Sequence, residues 1–430
     1  MRLGMVLIAA VLAASACSST DKPAPEPGVL SVGIPNPVIP GDRMLSELLF
    51  TPLVDYDPTN GKVTPRAAQS VTSTDLITWT VKLSPGTYSD GRPVTAQSYV
   101  DAWQRGLGLP VKQLTAVDEQ TVQIVLTQAF SEVPAYLAAP LALPYRADDP
   151  MVGNGPYRLA SPWQPGKGGR LVPLHERPGK PTAIDLRVYT DPAAAYDAVK
   201  AGTLDMTVEV PGSRHDAMHA DFANSHLIWA EPALGYLAFG DDLPEAAARF
   251  AISMSVDRKG LAAGAMDNQV DPATALIPPA IAPGERSGAC RACNNDVAAA
   301  KSLREQAGLT AARFDGEPRA LADQVHAALG VDIAAGPTVT IQTVQLRTLS
   351  PYELLQQLKV PAVQQFLDAA ATSGDFTERA QQYRLAENQI LRDLPVAPLW
   401  SAHGHAVWGP RVKDVIVTAA HGIDLAATTL

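Results

Sequence analysis

The N-terminal residues cannot take part in a packed core, and this fixes where the folded body of the chain begins. An apolar run over 3–14 is too short for a membrane-spanning helix of about 20 residues and is typical of a secretory signal. Small residues then lead to Cys17, and the residues after it include three prolines before Gly28 and no large apolar side chain. We therefore predict a signal peptide over 1–16 and an extended tether over 17–28.

A cysteine that follows small residues at the end of such a signal is the acceptor of two acyl chains in bacterial lipoproteins. Two chains anchor a protein stably, because each buried methylene contributes about 0.8 kcal/mol and a single chain binds only reversibly. We predict that Cys17 carries lipid and holds the folded body outside the cytoplasm, in the periplasmic space or cell envelope. The alternative is an ordinary cleaved signal in which Cys17 has no role.

The remaining chain, of about 400 residues, is too long for a single hydrophobic core and predicts two or three lobes. Apolar residues make up 46% of the sequence, as in packed globular proteins. The net charge is −10 and the sequence has no basic cluster, which argues against a nucleic acid partner. No later apolar run reaches the length of about 20 residues that a second membrane anchor would need.

Two further cysteines, Cys290 and Cys293, form a C-x-x-C pair. In an oxidising compartment we predict a local disulfide, which adds only about 2 kcal/mol because the closed loop is short. A redox pair of the thioredoxin kind is the alternative, although the flanking strand and helix that accompany such a pair are not evident. Zinc is disfavoured because the sequence has no second cysteine pair.

His215 and His219 are four residues apart, so a helix would place both imidazoles on one face, as a divalent metal requires. A polar surface helix is the alternative, and the sequence does not decide between them. We assign no metal site on this pattern. Neither an H-E-x-x-H nor a G-x-S-x-G motif occurs, so we predict no catalytic residue, no cofactor and no enzymatic activity.

Several segments have local patterns that predict their structure. Alternation over 77–83 predicts a half-buried strand, and Thr95 and Asp257 are placed to cap the helical turns that follow them. A long polar helix is predicted over 378–393, followed by an apolar extended strand over 394–400. Together these patterns predict a mixed α/β protein.

Five separated segments, in this order along the chain, resemble the family 5 extracellular solute-binding proteins of ABC importers, the peptide- and nickel-binding group. These segments are 65–103, 152–159, 191–205, 249–261 and 391–399, and the first includes PGTYSDGRPVTAQSY, which is similar to the most recognisable block of the family. The resemblance covers most of the chain after the tether. It implies a two-lobed clamp of the periplasmic-binding-protein type, class II, with an additional inserted domain.

On this basis we assign a first lobe to 29–50, 152–235 and 396–430, an inserted domain to 51–151 and a second lobe to 236–395. The resemblance implies that the clamp closes by hinge motion on a small-molecule or peptide-like ligand. It also implies delivery of that ligand to an ABC permease in the membrane. We expect the protein to be a monomer.

The resemblance implies that ligand-binding residues lie where the chain crosses between the lobes, and we assign these crossings to 34–37, 236–241 and 399–403. We therefore place Asn36, Tyr236, Asp241 and Trp400 on the wall of the cleft. For the two aromatic residues, packing in the core is an equally good interpretation. For Asn36 and Asp241, the alternative is a solvated loop.

One segment departs from the family pattern. Family members carry a Gly-Trp pair followed by Asp-Tyr, and in peptide binders that aspartate holds the α-amino group of the ligand. Here the stretch 308–375 has no tryptophan, and 330–358 takes the place of this segment. A buried ammonium without a carboxylate costs several kcal/mol, so peptide recognition does not carry over and the ligand class stays open. The shortened second lobe also motivates an alternative function, an envelope lipoprotein that has lost transport and acts as a scaffold or regulator.

Overall fold

The structure, a computed structural model, describes residues 25–38, 41–284, 286, 288–418 and 422–430. The predicted signal peptide and the predicted lipid acceptor Cys17 lie outside the described residues. Every helix within these ranges is too short or too polar to cross a lipid bilayer.

The chain begins with one strand and one helix of the first lobe, β1 (Val29–Ile34) and α1 (Arg43–Leu49). The residues predicted as an inserted domain follow, and we call 51–151 the inserted segment. Its elements are β2 (Val54–Tyr56), β3 (Val63–Pro65), β4 (Ala68–Thr72), β5 (Thr78–Leu83), β6 (Gly86–Thr87), β7 (Pro93–Val94), α2 (Ala96–Trp103), β8 (Val111–Asp118), β9 (Thr121–Leu126) and α3 (Val133–Leu137).

The inserted segment is built on an antiparallel sheet with the strand order β4, β5, β9, β8. The strand predicted over 77–83 is β5. Thr95 is the N-cap residue of α2, as the sequence predicts. Its backbone N–H donates to Ser98 Oγ (3.1 Å) in the first turn of the helix.

The chain then returns to the first lobe, crosses into the second lobe and comes back at its C-terminus. The elements of the return are β10 (Tyr157–Leu159), β11 (Gly168–Pro173), β12 (Ala183–Val188), α4 (Pro192–Lys200), β13 (Met206–Thr207), α5 (His215–Asp221) and the long strand β14 (His226–Phe239). The elements of the second lobe are α6 (Ala246–Ser255), α7 (Arg258–Ala263), β15 (Val270–Pro272), α8 (Val297–Ala307), β16 (Ala311–Asp315), α9 (Ala320–Leu329), β17 (Asp332–Ala335), β18 (Val339–Gln345), α10 (Pro351–Gln357), α11 (Gln364–Thr372) and α12 (Phe376–Asp393). The final elements are β19 (Val396–Trp408), β20 (Val417–Thr418) and β21 (Gly422–Ile423).

One 11-stranded sheet runs through both lobes, in the order β10-β11-β12-β1-β13-β19-β14-β18-β16-β17, with β15 paired to β19. Strands β14 and β19 connect the lobes, because each is long enough to run through both lobes while the two strands pair with each other. Their register shifts between Ala230 and Leu234, so residues 231–233 form a bulge at the crossing. This point, the β14–β19 crossing, is where the chain passes from one lobe to the other.

Buried apolar side chains form separate clusters in the two lobes, and the inserted segment shares its cluster with the second lobe. The rings of Phe130 and Tyr352 meet across this boundary with their centroids 4.9 Å apart. The buried carboxylate of Glu132 also crosses it, since it lies 2.9 Å from Arg379 Nε and accepts a hydrogen bond from Tyr383 Oη (2.8 Å). The inserted segment and the second lobe are therefore packed as one body.

The mixed α/β, two-lobed clamp predicted from the sequence is confirmed, while the exact domain limits remain predictions. The C-terminal strand is longer than the sequence predicts. It was expected to end at 400, but β19 continues to Trp408 through a polar stretch that includes His403 and His405. Pairing with β14 supplies the hydrogen bonds of this part of the strand, so its residues need no apolar alternation.

Candidate ligand-binding cleft

A cleft of about 380 Å³ lies between the lobes, against the β14–β19 crossing. The first lobe lines it with Arg43 at the start of α1, with residues 208–210 after β13, and with Trp229 of β14. The second lobe contributes Gln269 and Gln345. Because both lobes supply walls, a change in the angle between them changes the shape of the cleft.

Three hydrogen bonds join the two sides of the cleft directly. They run from Arg43 Nη2 to Leu346 O (2.7 Å), from Gln269 Nε2 to Val210 O (3.1 Å), and between His403 Nε2 and Asn268 O (2.9 Å). Each of these bonds pairs a side chain with a backbone carbonyl. Opening the cleft would break them and expose their groups to water, which can replace them at small net cost.

The position of Trp229 in the wall depends on Gly404 of the neighbouring strand. The two residues are paired between β14 and β19. A Cβ atom on Gly404 would lie 2.3 Å from Trp229 Cζ2, so the indole lies directly over the glycine backbone. Trp229 is partly buried and lines the cleft, where it offers a flat aromatic surface.

Acidic side chains outnumber basic ones in the cleft. The carboxylates of Asp42, Glu209 and Glu231 and the guanidinium of Arg43 line it, which gives a net charge of −2 when the imidazoles are neutral. Desolvation raises the pKa of Glu209, and the nearby charge of Glu231 raises it further. Desolvation also raises the pKa of Glu231, although Arg43 and His403 act in the opposite direction. Burial in the cleft therefore destabilises the charge of both glutamates.

Five histidines form a connected group beside the cleft, namely His215, His219, His226, His403 and His405. Helix α5 places His215 and His219 one turn apart, as their spacing predicts. His215 Nδ1 lies 3.1 Å from His405 Nε2, and His219 Nδ1 lies 3.2 Å from His226 Nε2. In the part of the chain that the structure describes, no three His, Cys, Asp or Glu side chains are arranged to hold a metal ion.

The two histidines that line the cleft differ in their protonation. Burial lowers the pKa of His405 to about 3, and the neighbouring His403 and His215 add to this effect. Desolvation lowers the pKa of His403 as well, but the Asp271 carboxylate 3.1 Å away, the backbone carbonyl of Asn268 and the charge of Glu231 together outweigh it, and the pKa of His403 is raised. At neutral pH, His405 is therefore an uncharged hydrogen-bonding group.

The two aromatic residues predicted for the cleft wall are buried near the crossing. Trp400 is 4% exposed, and its indole covers Gly235, whose added Cβ would lie 2.0 Å from Trp400 Cε2. Tyr236 is 7% exposed and donates a hydrogen bond to Gln342 Oε1 (2.6 Å). Both side chains belong to the core cluster of the second lobe, and neither lines the cleft described above. Their contribution to binding stays a prediction.

The two polar residues of the same prediction are exposed. Asn36 follows Ile34 and Pro35, which do line the cleft. Asp241 lies just after β14, and its neighbour Asp242 is held by Arg313 Nη2 (2.7 Å). The structure thus does not bring the four predicted residues together around one cavity, and a role for Asn36 and Asp241 also stays a prediction.

Trp229 and Glu231 line the cleft but were not predicted from the sequence, whereas His403 lies in the predicted crossing segment 399–403 without having been chosen as a wall residue. On β14 the crossing was expected at 236–241, and the bulge lies several residues earlier. A signal for it does exist, because Glu231 and Pro232 interrupt an otherwise apolar strand, and proline within a strand marks a bulge or an edge.

The predicted disulfide between Cys290 and Cys293 is present, with an S–S distance of 2.03 Å. The buried guanidinium of Arg258 donates to Cys293 O (3.3 Å), to Ser253 O (2.8 Å) and to Pro398 O (2.9 Å). Burial lowers the pKa of Arg258 to about 9. The C-x-x-C loop is thereby tied to α6 and β19, and neither cysteine lines the cleft.

Solved structures of solute-binding proteins share this fold. HbpA2 from Haemophilus parasuis is similar with a TM-score of 0.80 at 16% identity, over 94% of this chain and 99% of that chain. The murein tripeptide binding protein MppA of Escherichia coli has a TM-score of 0.71 at 20% identity, over 94% and 98% of the two chains. OppA of Haemophilus influenzae, in complex with the peptide RPPGFSPFR, has a TM-score of 0.70 at 17% identity, over 95% and 100%. At these identities the likeness shows the fold.

No curated protein sequence shows significant similarity to the chain. A family model does match it, that of the bacterial extracellular solute-binding proteins, family 5 Middle, over residues 62–328. This range is more than half of the chain, and the resemblance noted in the sequence is confirmed. The chain therefore belongs to the family 5 bacterial extracellular solute-binding proteins.

Proposed function

We propose that the protein is the solute-binding component of an ABC importer. It captures a small solute, peptide-like or other, in the cleft between its lobes and delivers it to a permease in the membrane. The observation that supports this most directly is the cleft of about 380 Å³ against the β14–β19 crossing, with walls from both lobes. Enclosure of a ligand at such a place strengthens each polar contact by excluding water.

The crossing also supports closure by hinge motion. Residues 231–233 bulge out of the β14–β19 ladder, so backbone rotation there can change the angle between the lobes while the pairing on either side persists. The three hydrogen bonds between side chains and backbone carbonyls across the cleft would form only in the closed arrangement. In this proposal the chemistry is selective, reversible capture, without catalysis or a cofactor.

Lipidation of Cys17 is part of the same proposal. A tether over 17–28 would keep the clamp close to the outer face of the membrane, where a permease can receive its ligand. Composition supports an extended tether, since three of the residues between Cys17 and Gly28 are prolines. A monomer suffices for this role, because the cleft is built from one chain.

Capture can be tested by native mass spectrometry of the full-length protein after incubation with spent growth medium and desalting. Met44 lies in α1 and lines the cleft, so Met44→Trp should fill part of it. Leu385 lies in α12 and is 39% exposed, so Leu385→Trp is a control for adding an indole to a helix elsewhere.

We expect the wild type and Leu385→Trp to retain a small solute at a stoichiometry near one, and Met44→Trp to lose it while keeping its helical circular dichroism. Cells that lack the gene should then import that solute more slowly. Failure of the wild type to retain any solute would overturn the proposal and favour the scaffold or regulator role.

A further inference from the structure

We infer that the ligand of this cleft is an organic cation, with a positively charged nitrogen held between Glu209 and Glu231 beside the indole of Trp229. This inference rests on the proposed function, since it names the chemical class of the captured solute. It is carried by the charges in the cleft, by the weak compensation of the two carboxylates and by the aromatic wall.

The charges come first. Among the residues that the structure describes, three carboxylates and one guanidinium line the cleft, so one cation cannot balance them. Arg43 directs its Nη2 to Leu346 O, and His403 lies 3.1 Å from the Asp271 carboxylate, which is not part of the lining. His405 is uncharged at neutral pH. An incoming anion would meet a net negative charge, whereas a cation would be attracted.

The two glutamates are weakly compensated, although the charges of Arg43 and His403 act on Glu231. Asp42 caps α1, where it accepts a hydrogen bond from Leu45 N (2.7 Å). Among the described residues, by contrast, no hydrogen bond or ion pair reaches the carboxylate oxygens of Glu209 or Glu231. Burial and the charge of Glu231 raise the pKa of Glu209, because its own charge is poorly solvated in the cleft. A cationic nitrogen between the two carboxylates would satisfy both.

The indole of Trp229 supplies a third element of cation recognition. It shares the wall with Glu231, two residues further along the bulged strand, and the absence of a side chain at Gly404 allows it to lie across β19. A cation over an indole is attracted by the ring electrons, and tryptophan gives the strongest attraction of this kind. Gln269 and Gln345 on the opposite wall can bond uncharged polar parts of the same ligand.

A bare metal ion fits the cleft less well. In the described ranges of the chain no group of three ligating side chains has the geometry to hold one. The two glutamates, an aromatic surface and two amides instead suit a molecule with one charged nitrogen and a larger uncharged body. These carboxylates lie on the first lobe and the crossing strand, outside the 330–358 stretch that replaces the family's usual aspartate segment.

A defined mixture of solutes, matched in size and differing in charge, tests this. It contains alanine tripeptide methyl ester with its N-acetyl form, choline with 3,3-dimethylbutan-1-ol, 1,5-diaminopentane with pentane-1,5-diol, and N-acetyl alanine tripeptide acid. Retention by the full-length wild type, Glu209→Gln, Glu231→Gln and Glu176→Gln is measured by native mass spectrometry and isothermal titration calorimetry. Glu176 is exposed and outside the cleft, so its variant is the control.

We expect the wild type and Glu176→Gln to prefer at least one cationic member over its neutral counterpart by tenfold or more. Glu209→Gln and Glu231→Gln should each lower that preference about tenfold while remaining folded. The inference is overturned if no cationic member is retained, if a neutral or anionic member is retained as strongly, or if the two variants behave as the control does. In each of these cases the protein could still capture a solute from growth medium. Failure of the cation inference can therefore be distinguished from failure of the proposed function.

Discussion

Arg379 Nε lies 2.9 Å from Glu132 Oε1, and this ion pair is buried where the inserted segment meets the second lobe. The same carboxylate accepts hydrogen bonds from Tyr383 Oη (2.8 Å) and Ser350 Oγ (2.6 Å). One side chain of the inserted segment thus satisfies three groups of the second lobe. Removing it would leave two hydroxyl groups without their acceptor and the buried guanidinium without its counter-charge.

We expect Glu132→Leu to lower the free energy of unfolding by about 3–5 kcal/mol, because breaking one side of a buried ion pair leaves an uncompensated charge. Asp55→Ala is the control. It removes the exposed pair with Arg66, whose side chains are 46% and 40% exposed, and such pairs contribute about 1 kcal/mol or less. Urea denaturation of both variants measures the difference, and equal small losses would contradict the bridging role of Glu132.

Cys17→Ser should release the protein from the membrane fraction, since the serine hydroxyl does not accept the lipid that the proposal assigns to the thiol. Fractionation of cells followed by detergent-free washing measures this. Cys290→Ser with Cys293→Ser is the control, because the two cysteines of the disulfide should have no part in anchoring. A Cys17→Ser protein that stays with the membrane through the washes would show that the anchor is wrong.

Replacing both cysteines of the C-x-x-C loop by serine should lower the free energy of unfolding by about 2 kcal/mol or less. The loop closes over few residues, and Arg258 continues to tie its backbone to α6 and β19. Ligand binding should be unchanged, because neither cysteine lines the cleft. Alkylation of both thiols in freshly isolated native protein would contradict the disulfide.

Trp229→Ala and Trp400→Ala should have opposite effects, and each serves as the control for the other. Trp400 is 4% exposed in the core, so its removal should cost about 3–5 kcal/mol of stability through a cavity, with affinity retained in the folded fraction. Trp229 lines the cleft, so its removal should weaken ligand capture by about 2 kcal/mol with a smaller loss of stability. Melting curves and ligand titrations on both variants distinguish a packing role from a binding role. A loss of affinity without a loss of stability in Trp400→Ala would show that Trp400 contributes to binding.

Glu209→Gln should stabilise the ligand-free protein at pH 7. The folded-state pKa of Glu209 is raised above its usual value of 4.5, so between these two pKa values the folded protein binds more protons than the unfolded chain. The charged side chain is therefore destabilising at neutral pH, and this effect disappears as the pH falls through the folded-state pKa. Urea denaturation should give Glu209→Gln a larger free energy of unfolding than the wild type at pH 7, and the two values should be equal near pH 4.

The affinity for a cationic ligand should fall as the pH is lowered, whereas the destabilising effect of Glu209 on the ligand-free protein is relieved. Binding favours ionised Glu209 and Glu231, so affinity should be full above their raised pKa values and fall as the pH is lowered through them. Titration of the best cationic probe at several pH values measures this. An affinity that rises on acidification would contradict the assignment of these two carboxylates.

Features that depend on neighbours in sequence could be predicted, and those that depend on strand register could not. Thr95 and Asp257 are the N-cap residues of their helices as expected, because the side-chain bonds at the start of a helix join groups only two or three residues apart. The place of Trp229 in the cleft wall depends on where β14 and β19 shift their pairing. That shift is fixed by contacts between residues about 170 positions apart, which a local pattern does not contain.

The core shared by the inserted segment and the second lobe limits how this protein can be divided. The sequence suggests three modules, but the inserted segment and the second lobe share one buried apolar cluster, so hydrogen exchange should protect these two parts to the same degree. A gene fragment that encodes 51–151 alone would leave the side chains that meet the second lobe, Phe130 and Glu132 among them, facing water. The inserted segment is therefore not a portable domain, and exchanging it between relatives would require the matching surface of the second lobe to be exchanged with it.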